Sequence, residues 1–191
     1  QKDKPKLNFS EPLNKSAKLS SDQKAQLDSS SSQNMSVYFN NGSDYETLTL
    51  EETIIRSHKK DTAIYNNAAQ VWNHDFFWQS LTNQNAQPAQ IMSLISENFG
   101  DLATFKQKFT EAGMSVFGSG WIWLVADKNN KLSILKASNA DNPLITGEKA
   151  LLTLDVWEHA YYIEHFNSRI GYLEKMMQHL NWQFAEDNLN K

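Results

Sequence analysis

Two stretches of the chain carry residues spaced for metal chemistry. The segment D-V-W-E-H-A-Y-Y, Asp155 to Tyr162, follows directly on a predicted strand and sets a carboxylate, Asp155, and an imidazole, His159, within reach of one point. Gln70 and His74 lie four residues apart on a predicted helix, on one face and one above the other, as a ligand and its supporting hydrogen-bond partner are presented. Two imidazoles and one carboxylate suit iron or manganese, whereas an all-oxygen set would suit magnesium or calcium. Two plainer readings compete: a core histidine with satisfied hydrogen bonds, and Asp155 as the N-cap of the helix that follows it. Spacing alone leaves the three open.

The elements that must position these groups read as helices first, then helices mixed with a small sheet. Residues 1–18 alternate lysine with polar residues and read as an N-terminal arm. Ser20 with Gln23 matches a capping box that opens a first helix, weakened by the serine run at 29–32; Thr49 with Glu52 opens a second, ended by Lys59 and Lys60. The most apolar helix, Asn66 to Leu81, spreads Val71, Trp72, Phe76, Phe77 and Trp78 around its circumference, which predicts burial on more than one side and leaves Gln70, Asn73 and His74 in need of partners. Pro88 breaks the chain, and two helices follow, around Ile91–Ile95 and from Leu102 to Phe109, ending near Gly113. Trp121–Val125, a polar turn at Asp127–Asn130 and Leu132–Leu135 predict an antiparallel hairpin, and Leu151–Leu154 a third strand. Tyr172, Met176, Leu180 and Phe184 are spaced for one buried helical stripe at the end.

Composition narrows the chemistry. The 191 residues, 40% of them apolar, suffice for one or two compact cores without staples. With 18 basic against 22 acidic residues and no basic stripe, nucleic acid is excluded as a partner. No apolar run approaches the roughly 20 residues of a membrane span. There is no cysteine, so disulfides, thiolate ligands and cysteine nucleophiles are excluded together, and redox chemistry would need a bound cofactor. The start at Gln1 fits either a trimmed chain or a product whose targeting segment has been removed, so the compartment, cytoplasmic or exported, is left open.

Three motifs in order and spacing, N-N-A-A-Q-V-W-N-H at Asn66–His74, F-G-S-G-W-I-W-L-V at Phe117–Val125, and D-V-W-E-H-A-Y-Y with N-S-R at Asn167–Arg169, resemble the iron/manganese superoxide dismutases over about residues 47 to 190. The resemblance implies an α+β fold in which a helical N-terminal domain, here residues 19–82 with a shortened and irregular helical hairpin, packs on a C-terminal domain, residues 88–191, of helices and a small three-stranded antiparallel sheet. It implies a mononuclear metal held by His74, Asp155 and His159, iron rather than manganese. The glutamine that hydrogen-bonds the metal's solvent falls at Gln70, with Ala140 where manganese-type members place theirs, which is the iron-type pattern. Trp121, Trp123 and Trp157 match the aromatic shell of the site, and Glu158 and Tyr162 match residues that pair subunits, implying a homodimer or a larger assembly. In the family the metal alternates between +3 and +2 states, oxidising one superoxide and reducing the next to peroxide.

The resemblance departs at the first ligand. The family takes it from a histidine-rich helix segment, H-x-x-x-H-H-x-x-Y, but the chain has no histidine before His58. Counted back without gaps, the ligand position falls on Leu27, the next two histidines on Ser31 and Ser32, and the tyrosine on Met35. Leucine for imidazole removes one strong ligand and sets an apolar group against the metal, lowering affinity and moving the potential. The reading therefore favours a pseudoenzyme kept as a structural or binding subunit, with an impaired iron-dependent superoxide dismutase as the alternative. The first would show an exposed apolar patch, the second an open funnel with Arg169 near its rim.

Overall fold

The computed structural model describes residues 44–84 and 86–191. The arm at 1–18, the helix expected at Ser20 and the Leu27 position lie outside them. The chain from Thr49 on opens with the expected capping box. The Thr49 hydroxyl accepts from the Glu52 backbone N–H at 3.2 Å and the Glu52 carboxylate accepts from the Thr49 N–H at 2.9 Å, starting α1 (Leu50–Ser57). Lys59, at φ 62°, turns the chain out of it.

Helix α2 (Thr62–Gln79) begins four residues before the predicted start because Asp61 caps it, its carboxylate accepting from the Ile64 N–H at 3.0 Å. Its circumference is less buried than predicted: Phe77 is buried, Trp72 and Phe76 are half-buried, and Trp78 is 64% exposed. Helix α3 (Ala89–Phe99) starts at Pro88, which offers no side-chain cap. Glu186, 95 residues on, accepts from the Ile91 N–H at 2.9 Å in its place.

Helix α4 (Leu102–Ser115) runs past Gly113, the predicted stop. A Cβ there would crowd Leu173 and Ile122, so this glycine permits close packing rather than ending the helix. Strands β1 (Gly120–Ala126) and β2 (Leu132–Ser138) form the predicted hairpin, each longer than expected. Asp127 builds its turn by accepting from the N–H groups of Asn129 and Lys131. A single helical turn, α5 (Pro143–Thr146), leads to β3 (Lys149–Asp155), which pairs antiparallel with β1, giving the order β2-β1-β3.

β1 is buried along its whole length, as its near-continuous apolar run requires at the centre of a sheet covered on both faces. Trp121 and Trp123 share one face and meet α2: Trp123 stacks on Trp72 at 5.5 Å and Trp121 packs edge-on to Phe77 at 6.1 Å. Ile122 and Leu124 take the opposite face, where Gly113 of α4 lies against Ile122. The end of the chain forms three helices, α6 (Glu158–His165), α7 (Arg169–Met176) and α8 (Trp182–Leu189). The expected single stripe is split, because Thr82 N–H donates to the His179 carbonyl and Asn181 N–H to that of Ser80, drawing residues 179–181 away from helix. The architecture is α+β, with a three-stranded antiparallel sheet clad by helices, as the sequence implies.

Gly120 allows β1 to lie flat on β2: a Cβ there would collide with the Ala137 carbonyl oxygen, which is backbone and has no room to yield. Gly120→Ala is expected to lower stability by about 1–3 kcal/mol, the usual cost of overpacking. Urea unfolding of the two chains checks this.

Candidate metal centre

β3 ends in Asp155, which pairs across the sheet with Trp121 and is 1% exposed. One carboxylate oxygen, Oδ1, accepts from the Trp157 N–H at 2.9 Å, which fixes the plane of the group. The other, Oδ2, lies 3.5 Å from His74 Nε2 and 3.1 Å from His159 Nε2. His159 reaches it from the first turn of α6, four residues on, and His74 from the fourth turn of α2. The three ligand atoms all lie within 4.8 Å of one another. Asp155 is therefore not the simple helix cap that competed in the sequence; its bond to the Trp157 N–H serves to aim it at two imidazoles.

The partners of the imidazoles set their chemistry. His74 Nδ1 pairs with the main-chain carbonyl of Gln70 at 2.8 Å, so a proton sits on Nδ1 and Nε2 is the nitrogen that faces Asp155. The i, i+4 relation sets Gln70 one turn before His74, and it is the main-chain carbonyl of Gln70 rather than its side chain that bonds the imidazole. The Gln70 Oε1 atom is buried, as is the Trp121 Nε1 atom, and neither has a hydrogen-bond partner among the described residues. Trp121 meets the His74 ring edge-on at 4.9 Å, Trp157 lies 5.7 Å from His159, and the two imidazoles stack at 5.7 Å. Trp123 stands one layer further away, against Trp121 at 6.2 Å.

The donor set suits a metal ion. Two imidazole nitrogens and a carboxylate oxygen face one point, the carboxylate is buried without a lysine or arginine salt bridge among the described residues, and the orphaned Gln70 and Trp121 atoms lie one turn from, and against, His74. With only protons to share, the hydrogen bond to Asp155 raises the pKa of His74, outweighing the opposing effect of burial.

Sequence reasoning missed what holds α2 in register. Asn73, fully buried, donates to the Ala140 carbonyl at 3.0 Å and accepts from Asn142 Nδ2 at 3.0 Å. Tyr65, one face away, donates to Asp141 at 2.8 Å. The buried asparagine beside His74 was the signal for this tie. Arg169 donates to the carbonyls of Val116 and Gly118, both at 2.6 Å, clamping the loop before β1. His58 is half-buried against Tyr65 at 5.0 Å.

Residues 86–188 match the family described as iron/manganese superoxide dismutases, C-terminal domain. The chain is 46% identical over 150 residues to superoxide dismutase [Fe] of Legionella pneumophila, covering 78% of this chain and 77% of the relative. The chain belongs to the iron/manganese superoxide dismutase family. It is of the iron type, being also 48% identical over 150 residues to superoxide dismutase [Fe] of Escherichia coli K12 (78% and 76% covered) and 47% identical over 149 residues to that of Entamoeba histolytica (78% and 77%). Ala140, at the position that separates the two types, is buried with its carbonyl taken by Asn73. Iron is the metal that this site takes when it holds one.

In the metal-free chain, a His74 with a raised pKa adds stability that is fully present below its ordinary value of about 6.5 and is lost as pH rises through the raised value. Urea titrations across that window should show falling stability with rising pH, and His74→Gln should flatten the slope. Asn73→Ala, which strands the Asn142 amide, is expected to cost about 1–3 kcal/mol, read from the same titrations at fixed pH.

Proposed function

We propose that this chain holds iron through His74, Asp155 and His159 and dismutates superoxide slowly, as a superoxide dismutase impaired at its first ligand. The observation that carries this is the convergence of three ligand atoms within 4.8 Å around a carboxylate that is 1% exposed. Burying a charge without a full counter-charge is costly, so the arrangement is stable only with a cation, protons or iron, at its centre.

Bound iron would supply the alternating +3 and +2 states that take an electron from one superoxide and give one to the next. The chain's own residues do the rest. Asp155 contributes the negative charge that favours the higher oxidation state, and the Gln70 carbonyl holds the His74 tautomer that keeps Nε2 free. Gln70 Oε1 and Trp121 Nε1 stand ready to hydrogen-bond a solvent molecule at the site. His159, with 57% of its side chain exposed, leaves the centre open to a small anion. The impairment rests on Leu27, with Ser31, Ser32 and Met35, at the positions where the family places its first ligand, two further histidines and a tyrosine.

A second reading, a pseudoenzyme kept as a structural or binding subunit, draws on a different observation. Phe117 is 100% exposed, Ile163 89%, Phe166 75% and Tyr162 45%, and the Arg169 clamp, which also reaches the Tyr161 hydroxyl at 3.4 Å, brings the 116–118 loop alongside α6. Exposed aromatic and aliphatic surface of this kind marks a protein contact. Glu158 and Tyr162 belong to the same helix, and the Glu158 carboxylate raises the Tyr162 phenol's pKa. We assign this surface to a homodimer contact. Phe117→Glu with Ile163→Glu should turn the dimer into a monomer in sedimentation velocity; an unchanged species would remove the assignment.

Elemental analysis and a superoxide assay on one preparation from iron-supplemented cells test the function. Iron close to one per chain is expected, lost in Asp155→Ala, with turnover more than about 100-fold below that of an intact relative. Leu27→His alone should not restore it, since three further family positions stay changed. A site empty of iron would transfer the conclusion to the subunit reading, and full recovery by Leu27→His would show that the first ligand was the only defect.

A further inference from the structure

The turn at residues 138–142, between β2 and α5, supplies no ligand, yet it is bonded to the supports of both His74 and Asp155. The Asp141 N–H closes it by donating to the Ser138 carbonyl at 3.0 Å, and Asn139, its first central residue, sits at φ 51°. Asparagine is one of the few residues besides glycine that enter this left-handed region. Two further bonds anchor the turn. The Asn139 N–H donates to the Ser119 carbonyl at 2.9 Å, and the Tyr65 hydroxyl donates to the Asp141 carboxylate at 2.8 Å.

One branch runs from the turn to His74. Asn142 Nδ2 donates to Asn73 Oδ1 at 3.0 Å, and Asn73 Nδ2 donates to the Ala140 carbonyl at 3.0 Å. Both asparagines are buried, Asn73 at 0% and Asn142 at 1% exposed. Asn142 Oδ1 is taken by the Leu144 N–H at 3.2 Å, the cap of α5, so the polarity of the two carboxamides is fixed at both ends. Neither amide can flip without losing a buried bond. Asn73 is the residue directly before His74 on α2.

The other branch runs to Asp155. The Asn139 carbonyl accepts from Trp157 Nε1 at 3.1 Å, while the main-chain N–H of Trp157 holds Asp155 Oδ1 at 2.9 Å. The Trp157 ring also flanks His159 at 5.7 Å. The height of His74 and the plane of Asp155 are therefore referred to one short piece of backbone. Their direct contact is the looser of the two made by Asp155 Oδ2, 3.5 Å to His74 against 3.1 Å to His159, which leaves the spacing of this pair to its supports.

We propose that the turn at residues 138–142 sets the spacing of His74 and Asp155 at the metal, with Asn142 as its positioning residue. The proposal rests on the reading of these residues as an iron centre and adds to it the part that fixes the ligand geometry.

Cobalt(II) titration of the full chain, followed by visible absorption, tests it, because the cobalt bands report the number and arrangement of the ligands. Asn142→Ser keeps a capping oxygen for α5 but withdraws the donor from Asn73. It should weaken cobalt binding about tenfold, at the lower end of what the loss of an outer support costs, and shift the bands. Trp157→Phe, which removes the Nε1–H and breaks the other branch, should do the same, and the two changes together should cost less than their sum because they cut one bridge. Asp101→Ala, which deletes the cap of α4 and touches none of these residues, should lower the melting temperature and leave affinity and bands unchanged. A parent chain that takes up no cobalt would overturn the iron-centre reading and this proposal with it. Binding by the parent with an unchanged affinity and spectrum in Asn142→Ser, strict additivity in the double variant, or an equal band shift in Asp101→Ala would overturn this proposal alone.

Discussion

A single carboxylate organises the described part of this molecule. Asp155 ends an edge strand whose neighbour is the fully buried β1, and it is withdrawn from water while two imidazoles from different helices face one of its oxygens. An isolated charge in that position would lose its solvation without recompense, so each surrounding element is constrained to bring something to it. The main-chain N–H of Trp157 fixes its plane, α6 starts in the register that returns His159 to it, and α2 must lie across the sheet at the height that delivers His74. The site and the packing are therefore one problem.

That problem is solved by ties that touch no ligand atom. Ser80, at the end of α2, accepts from Thr153 N–H through its hydroxyl and from Asn181 N–H through its carbonyl, joining α2 to β3 and to the approach of α8. Asn73 fastens the middle of α2 to the Ala140–Asn142 segment, and Trp123, stacked on Trp72, fills the space between. Fixed at three levels, the helix has little freedom to move His74 along the sheet. Iron held at this site would need such rigidity of its supports to keep one geometry.

Much of this was legible in the sequence because it rests on local rules. The Thr49 capping box, the β1–β2 hairpin around Asp127 and the alternation that puts Trp121 and Trp123 on one face follow from residue chemistry and period. The convergence of the candidate ligands was legible for a similar reason: Asp155 and His159 are local to each other, and three motifs carried the family pattern that adds His74. What escaped depends on distant partners. Gly113 looked like a helix stop because its neighbour Leu173 is sixty residues away in sequence. The break between α7 and α8 comes from backbone bonds to residues 80 and 82 rather than from any breaker in the stripe. The exposure of Trp78 could be found only in three dimensions, since a helical aromatic reads the same in sequence whether it faces a core or solvent.

The closing of His74, Asp155 and His159 on one iron ion can be seen in a crystal of the iron-loaded chain measured at the iron absorption edge. One anomalous peak is predicted, bonded to His74 Nε2, His159 Nε2 and Asp155 Oδ2 together. A crystal soaked to saturation that shows no peak there, or a peak held by other residues, would contradict it.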